Sequence, residues 1–425
     1  MIFRHPLRLL ADPARVVIRP FHLAWQSQDV DPTRAKRLVD SVLALDTRTA
    51  RAELGLVFRD FEARHWQTRE VFLSRFKEVE EQIGLKARSI SDERKQLIGA
   101  YFCHEYSYAA AALMNPSVVP HPDQKGLSKG ALRIVLTLRA VGEGHISSVA
   151  FREGVVSPNR ELELMPQPPF ATAATCRANC AGNPGAPITV RRGGKTTLSG
   201  TVIFPVTEAQ RHGIEDLRLV RFEHQDGRKE WIGTYTAYSG RDIRSELMRS
   251  PDLKRFDLIP LGGVAAEHKG LALFPRQVDG SYMMISRQDG ENLFLHRSEE
   301  LDQWDGGELL LKPRYPWELI QVGNCGAPIE LDEGWLLITH GVGAMRKYSI
   351  GAALLDKDDP GRVLGRTSDP ILSSLDHERE GYVPNVVYSC GGMRIGEEIF
   401  LPYGVADSSV AFAFLSIKEL LARMR

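Results

Sequence analysis

The hydrophobic period of the sequence changes near residue 130, and this change limits the folds open to the chain. Beyond that point the chain is a series of short apolar runs, such as RIVLTLRAV, WIGTYTAYSG and VAFAFLSI, each bounded by Gly, Pro, Asp or Asn. Runs of this kind are typical of β-strands joined by tight turns. No helical pattern of useful length returns until IKELLARM at the C-terminal end. We therefore predict a mainly β domain over residues 131–425, closed by a C-terminal helix.

The length of this region narrows the choice of β architecture. About 290 residues are too many for one sandwich, whereas four strands per blade and five blades use a segment of that size. No clean repeat motif supports the assignment independently. The expected fold is a five-bladed β-propeller.

The preceding segment, residues 31–130, has a helical pattern. Asp31 and Pro32 form a good N-cap and first-turn pair, apolar residues follow at helical spacing, and Gly84 ends a later helix. A fourth helix is expected over residues 92–114, and residues 1–30 form an extended arm containing VVIRPFHLAW. This α-helical extension either packs on the outer wall of the propeller, covers its funnel, or joins subunits into a homo-oligomer.

Composition excludes several classes of partner. Lys and Arg number 54 and so do Asp and Glu, so the chain lacks the basic excess that nucleic acid binding needs. No apolar run is long enough for a membrane span, and the first residues have no signal-peptide core. The five cysteines include no CxxC pair, so neither a disulfide framework nor a metal site is indicated and a reducing, cytoplasmic location is expected.

The clearest local feature is a pair of carboxylates in GIEDLRL. Adjacent residues on a strand point to opposite faces, so one of Glu215 and Asp216 is expected to face a central cavity while the other pairs with Arg218. A turn with a structural salt bridge is the alternative interpretation of the same residues.

From about residue 177 to 420 the chain resembles the β-mannoside phosphorylases and hydrolases of glycoside hydrolase family 130. The matching segments occur in order and at similar spacing: NPGAP, GIEDLRL, TYTAYSG, LALFPRQVDGSYMMISR, GAPIELDEGWLLITHGVG, YSIGAALLDKDDPGRVLGRTSDPIL, EGYVPNVVYSCG and PYGVAD. The arm, the helical segment and GEGHISSVAFR also resemble the larger members that act on β-1,2-linked mannosides. The resemblance implies a five-bladed propeller with its active site in the central funnel.

The resemblance also implies an inverting reaction at a mannoside. The family's general acid falls on Asp216, which passes its proton through a sugar hydroxyl and needs a raised pKa from burial or from Glu215. In phosphorylases the nucleophile is inorganic phosphate and the product is α-mannose 1-phosphate. In hydrolases a second carboxylate activates water.

A phosphate dianion requires fixed cations and hydrogen-bond donors. The family's phosphate ligands fall on Lys269, Arg287, His340 and Tyr348, and Arg346 lies close in sequence. A further contact, often Lys, aligns with Gln321, which is a departure that removes one positive charge. Taken singly, Arg287 is better explained by a strand-end ion pair, and His340 and Tyr348 by burial in the core. Their joint occurrence at the family's spacing favours phosphate binding for Arg287 and His340.

Sugar-binding positions also carry over from the family. They are Asn179, Arg191 (or its neighbour Arg192), Tyr238, Glu380, Asn385 and Asp407. Asp407 matches the carboxylate that holds the hydroxyls of the reacting mannose.

Three functions remain open at this point. The first is an inverting phosphorylase of β-mannosides, with β-1,2-mannobiose or β-1,2-oligomannosides favoured, inorganic phosphate as co-substrate and no metal or organic cofactor. The second is an inverting β-1,2-mannosidase, which Gln321 and the acidic stretch Glu378-Arg379-Glu380 keep possible. The third is a carbohydrate-binding propeller without catalysis, which the presence of Asp216 argues against.

Overall fold

The computed structural model describes residues 2–21, 32–85, 89–176 and 185–424. Within these ranges strands predominate over helices, which confirms the mainly β class. No helix in the described ranges has the length and apolar character needed to cross a membrane. The five-bladed arrangement itself stays a prediction.

The helices are α1 (Pro32–Ala44), α2 (Thr47–Phe61), α3 (Thr68–Ile83), α4 (Asp92–Tyr101) and α5 (Ile417–Ala422). The strands are β1 (Ile2–Leu10), β2 (Val16–Pro20), β3 (Cys103–Ser107), β4 (Ala112–Pro120), β5 (Leu132–Val141), β6 (Ser147–Val156), β7 (Leu162–Leu164), β8 (Thr172–Ala173), β9 (Thr175–Cys176), β10 (Ile188–Arg191), β11 (Thr201–Ile203), β12 (Gly213–Glu223), β13 (Lys229–Tyr238), β14 (Ile243–Ser250), β15 (Arg255–Pro260), β16 (Ala272–Leu273), β17 (Tyr282–Ser286), β18 (Leu293–Ser298), β19 (Glu308–Leu311), β20 (Gln321–Asn324), β21 (Ile329–Glu330), β22 (Trp335–Val342), β23 (Tyr348–Leu355), β24 (Val363–Arg366), β25 (Leu372–Ser373), β26 (Val387–Tyr388), β27 (Met393–Ile395), β28 (Glu398–Val405) and β29 (Ser409–Ser416).

One compact unit, Ala14–Ser107 with Pro168–Thr172, contains helices α1 to α4. Their apolar faces meet in one core that includes Val39, Leu54, Phe76 and Leu97. Helix α3 ends where the sequence predicts, because Gly84 adopts the left-handed backbone (φ +63°) that closes a helix.

The expected helix over residues 92–114 is wrong beyond Tyr101. Residues 103–107 form β3, and AAAALM enters β4, which belongs to the other unit. Ala112 pairs with Val141 of β5, and β4 is buried along nearly its whole length. Pairing within a sheet therefore outweighs the local helix propensity of an alanine-rich segment.

In the described part of the second unit, which comprises Met1–Pro13, Tyr108–Gln167 and Ala173–Arg425, there are four sheets. Strands β12 to β15 form an antiparallel meander inside the largest of them, and β16 to β19 form a second meander by themselves. A third sheet has the order β20-β22-β23-β24. In the fourth, β1 pairs with β29, so Phe3 lies opposite Phe414 and the two ends of the chain share one sheet.

Strand β22 illustrates how the core positions a site residue. Successive side chains alternate between faces, so Leu336 and Ile338 pack in one apolar cluster and Trp335 and Leu337 in another. A strand buried on both sides is held rigidly, and it carries His340 near its end.

The cysteine spacing predicts no disulfide framework. Cys103, Cys325 and Cys390 are free thiols, but Cys176 is disulfide-bonded, which the spacing did not predict.

Candidate active site

A polar cavity of about 260 Å³ in the larger unit brings together seven of the residues predicted as site residues. They are Asp216, Lys269, Arg287, His340, Arg346, Tyr348 and Asp407. The sequence separates these residues by up to 191 positions (407 minus 216), so only the fold can place them around one volume.

Asp216 stands on an irregular part of β12. The pairing of β12 with β13 shifts register between Glu215 and Arg218, and Asp216 has a left-handed backbone (φ +55°). A bulge interrupts the alternation of a strand, so neighbouring side chains need not face opposite sides. Asp216 lines the cavity and Glu215 does not, but the two side chains are not fully separated. Arg139 reaches both, with Nη2 2.7 Å from Glu215 Oε1 and Nη1 3.4 Å from Asp216 Oδ1.

Arg218 does not make the ion pair that the sequence predicts. Its guanidinium donates instead to the backbone oxygen of Asp216 at 3.0 Å and to the hydroxyl of Tyr388 at 2.6 Å. Arg218 and Tyr388 thus line the cavity as one hydrogen-bonded pair beside the carboxylate.

Sequence reasoning missed two residues that contact Asp216. Asn115 Nδ2 donates to Asp216 Oδ1 at 2.7 Å, and Arg139 makes the contact described above. Both line the cavity. The available signals were the Asn115-Pro116 pair and an arginine late in the apolar run RIVLTLRAV.

The charge state of Asp216 differs from the expected one. Burial by itself would raise the pKa of this carboxyl, but Arg139, Arg218, Lys269 and the hydrogen bond from Asn115 together lower the pKa below its ordinary value. The sequence predicts a raised pKa, and the two missed residues are part of the reason for the difference. Asp216 is ionised in the unliganded cavity at neutral pH.

Asp407 is the cavity carboxyl with the raised pKa. Burial, followed by the negative charge of Asp216, raises the pKa of Asp407 to about 6, against the opposing charges of Arg139 and Arg346. Two acidic groups that share one cavity are pushed apart in pKa in this way.

Replacing Asp407 with Asn should stabilise the protein at high pH only. A raised folded-state pKa contributes stability below the ordinary value of 3.8, and that contribution is lost as the pH rises through about 6. We expect Asp407→Asn to increase the free energy of unfolding by about 2 kcal/mol near pH 8 and by almost nothing near pH 4. Urea titrations at both pH values measure this.

The matched control for that experiment is Asp376→Asn, since the Asp376 side chain is fully exposed. It should leave the unfolding free energy unchanged at both pH values. An equal effect of Asp407→Asn at the two pH values would contradict the raised pKa.

The cations Arg287, Lys269 and Arg346 also line the cavity. Arg287 follows β17, Lys269 lies 3.4 Å from Glu215 Oε2, and exposed Arg346 follows Met345 on left-handed backbone (φ +56°). Tyr348 is held by its backbone N–H, which donates to Asn385 O at 3.0 Å. Its ring lies parallel to that of His340, with centroids 5.9 Å apart.

Of the other predicted residues, the four that lie in the described part of the chain do not line the cavity. Arg191 is exposed at the end of β10, and Glu380 is exposed in a loop. The hydroxyl of Tyr238 donates to Gly240 O at 3.3 Å, and Asn385 Oδ1 accepts from Arg379 at 2.8 Å. Asn179 lies outside the described residues.

Gln321, where the family often has Lys, is also absent from the lining. It lies in β20 opposite Val342.

The C-terminal part of the chain matches a known family. Residues 191–425 match the profile of glycoside hydrolase family 130, described as β-1,4-mannooligosaccharide phosphorylase. A 1,2-β-oligomannan phosphorylase of Thermoanaerobacter sp. (strain X514) is 36% identical over 229 residues, which are 52% of this chain and 75% of that protein. A β-1,2-mannobiose phosphorylase of Listeria innocua serovar 6a is 31% identical over 230 residues, 52% of this chain and 63% of that protein.

The solved structure of a glycosyl hydrolase from Bacteroides ovatus has a TM-score of 0.53 and 18% identity. The likeness covers 74% of this chain and 87% of that one, and it shows a shared fold.

Proposed function

Because this chain belongs to glycoside hydrolase family 130, we propose that it is an inverting phosphorylase that acts on β-mannosides and releases α-mannose 1-phosphate. The favoured substrates are β-1,2-mannobiose and β-1,2-oligomannosides, since two similar proteins are named for β-1,2 linkages. The proposal includes a five-bladed propeller, inorganic phosphate as co-substrate, and no metal or organic cofactor.

One observation carries the proposal: the same cavity is lined by Asp216 and Asp407 and by the cations Arg287, Lys269 and Arg346. In the proposed reaction the sugar lies between an acid and a phosphate nucleophile. The cations neutralise the dianion and orient one of its oxygens, and no protein base is needed for the attack.

Asp216 is assigned as the general acid, which must hold a proton when the glycosidic bond breaks. In the free cavity the neighbouring cations keep it ionised. Binding of a phosphate dianion beside the same cations opposes their effect, so the pKa of Asp216 rises as the substrates assemble. Proton delivery is thereby coupled to the presence of phosphate.

The hydrolytic alternative needs a carboxylate that activates water. Glu380 is exposed and outside the cavity lining, and the buried carboxylate of Glu378 pairs with Arg8. Both placements favour the phosphorylase over the β-1,2-mannosidase. A protein that only binds carbohydrate does not need Asp216 beside several cations. This arrangement therefore argues against the non-catalytic alternative.

The decisive assay incubates the protein with β-1,2-mannobiose in the presence and absence of inorganic phosphate. We expect mannose 1-phosphate to form only when phosphate is present, because phosphate is the nucleophile. Free mannose at equal rates in both samples would identify a hydrolase instead. Binding of mannobiose without any product would support a carbohydrate-binding protein.

A further inference from the structure

The orientation of the His340 ring fixes which of its nitrogens carries a hydrogen. Nδ1 lies 3.1 Å from the backbone oxygen of Asn324. A carbonyl oxygen only accepts, so Nδ1 carries a hydrogen and donates it. In the neutral ring Nε2 is then a bare lone pair that can only accept.

The ring has little freedom to escape this arrangement. A Cβ atom at Gly323 would lie 2.3 Å from His340 Cε1, so only glycine lets the backbone pass this close to the imidazole. The ring of Tyr348 lies nearly parallel to the imidazole with its centroid 5.9 Å away, and the centroid of the Tyr388 ring is 4.8 Å away. His340 is 3% exposed.

The lone pair on Nε2 has no partner. Nε2 is buried, and no described residue lies within hydrogen-bond distance of it, although His340, Gly323 and Tyr348 all line the cavity. Burial and the nearby charges of Arg287 and Arg218 lower the pKa of His340 to about 3, so the ring is neutral at physiological pH. An unpaired buried acceptor is costly, and a ligand that supplies a hydrogen removes that cost.

Close to Arg287 and Arg218, whose charges act on His340, the cavity therefore offers an anion cationic donors together with the acceptor Nε2. The other acceptors of the lining include the carboxylates of Asp216 and Asp407 and the amide oxygens of Asn115 and Asn324. Monohydrogenphosphate matches this pattern, since one of its oxygens bears a hydrogen while the other three accept. Sulfate does not match, because at neutral pH it has four accepting oxygens and no hydrogen to give. A sulfate oxygen facing Nε2 would place two lone pairs against each other.

We propose that His340 Nε2 accepts the P–O–H hydrogen of monohydrogenphosphate, so that the cavity selects phosphate and arsenate and rejects sulfate. This inference rests on the proposed phosphorylase function and specifies the form in which its co-substrate binds. His340 is thus a specificity residue, whereas the arginines supply attraction that any dianion would share.

The test is calorimetric titration of the unmodified protein with phosphate, arsenate and sulfate near pH 8, in two buffers of different ionisation enthalpy. We expect phosphate and arsenate to bind similarly, without proton uptake, and sulfate to bind at least about 30-fold more weakly. Sulfate binding within threefold of phosphate, with one proton taken up, would mean that the imidazole becomes charged and would overturn the inference. Equal binding leaves the phosphorylase proposal standing, whereas failure of every anion to bind overturns both.

A variant separates His340 from the general positive charge of the cavity. The amide of Gln can rotate to present either its oxygen or its NH₂ group, so His340→Gln should accept both anions and reduce the phosphate-to-sulfate ratio to less than about threefold. His377→Gln is the control, because His377 is exposed and does not line the cavity. It should keep the full ratio, and retention of that ratio by His340→Gln would refute the assignment.

Discussion

Replacing Asp216 with Asn is expected to lower the rate of mannose 1-phosphate formation by about 10³-fold while the protein stays folded. Asn has nearly the same shape, tolerates the left-handed backbone at this position, and keeps an oxygen for the Asn115 and Arg139 contacts. It cannot deliver a proton. The measurement is the initial rate from β-1,2-mannobiose and phosphate, together with the melting temperature.

The control for this variant is Asp226→Asn, an exposed aspartate outside the cavity, which should keep the parental rate. A loss of less than tenfold in Asp216→Asn would exclude Asp216 as the acid. Asp407 would then be the candidate for the general acid, because its raised pKa favours the protonated form.

Replacing Arg139 with Met is expected to lower the free energy of unfolding by about 3 kcal/mol. The change leaves Glu215 and Asp216 without their shared cation in a largely buried site, where Arg139 itself is only 21% exposed. Chemical denaturation measures the effect. The same variant should lose most of its activity, because the charge that orients Asp216 is gone.

Two further variants make this prediction specific. Arg297→Met removes an arginine whose partner Asp359 is exposed, and it should change the unfolding free energy by less than about 1 kcal/mol. Adding Glu215→Gln to Arg139→Met removes one of the two carboxylates that lose Arg139 and should restore part of the stability. Equal effects of Arg139→Met and Arg297→Met would contradict the view that the carboxylates depend on Arg139.

Local patterns predicted most of the strands, because alternation, β-branched residues and turn residues act over a few positions. The β5 run RIVLTLRAV and the end of α3 at Gly84 are examples. Residues 112–114, at the start of β4, were assigned to a helix because their pairing with β5 depends on residues 25 to 29 positions away.

Site residues could be predicted where they lie in a segment shared with the family. They could not be predicted where their position depends on contacts between distant parts of the chain. Asp216, Arg287 and His340 came from segments shared with the family, and the fold brings them to one cavity. Asn115 was missed because the sequence contains two Asn-Pro pairs, and the second, in NPGAP, was used to anchor the resemblance. The bulge that turns Asp216 toward Arg139 has no local signal, since it arises from the register between β12 and β13.

Four side chains of the cavity, Asn115, Asp216, Arg346 and Asp407, stand on left-handed backbone that glycine adopts with less strain. Choosing residues for thermal stability alone would favour glycine at these positions. The cavity would then lose the side chains that carry its chemistry. The left-handed backbone at these four positions therefore reflects a trade-off between stability and activity. Attempts to make this protein more heat-resistant should leave these four positions fixed and look for gains elsewhere.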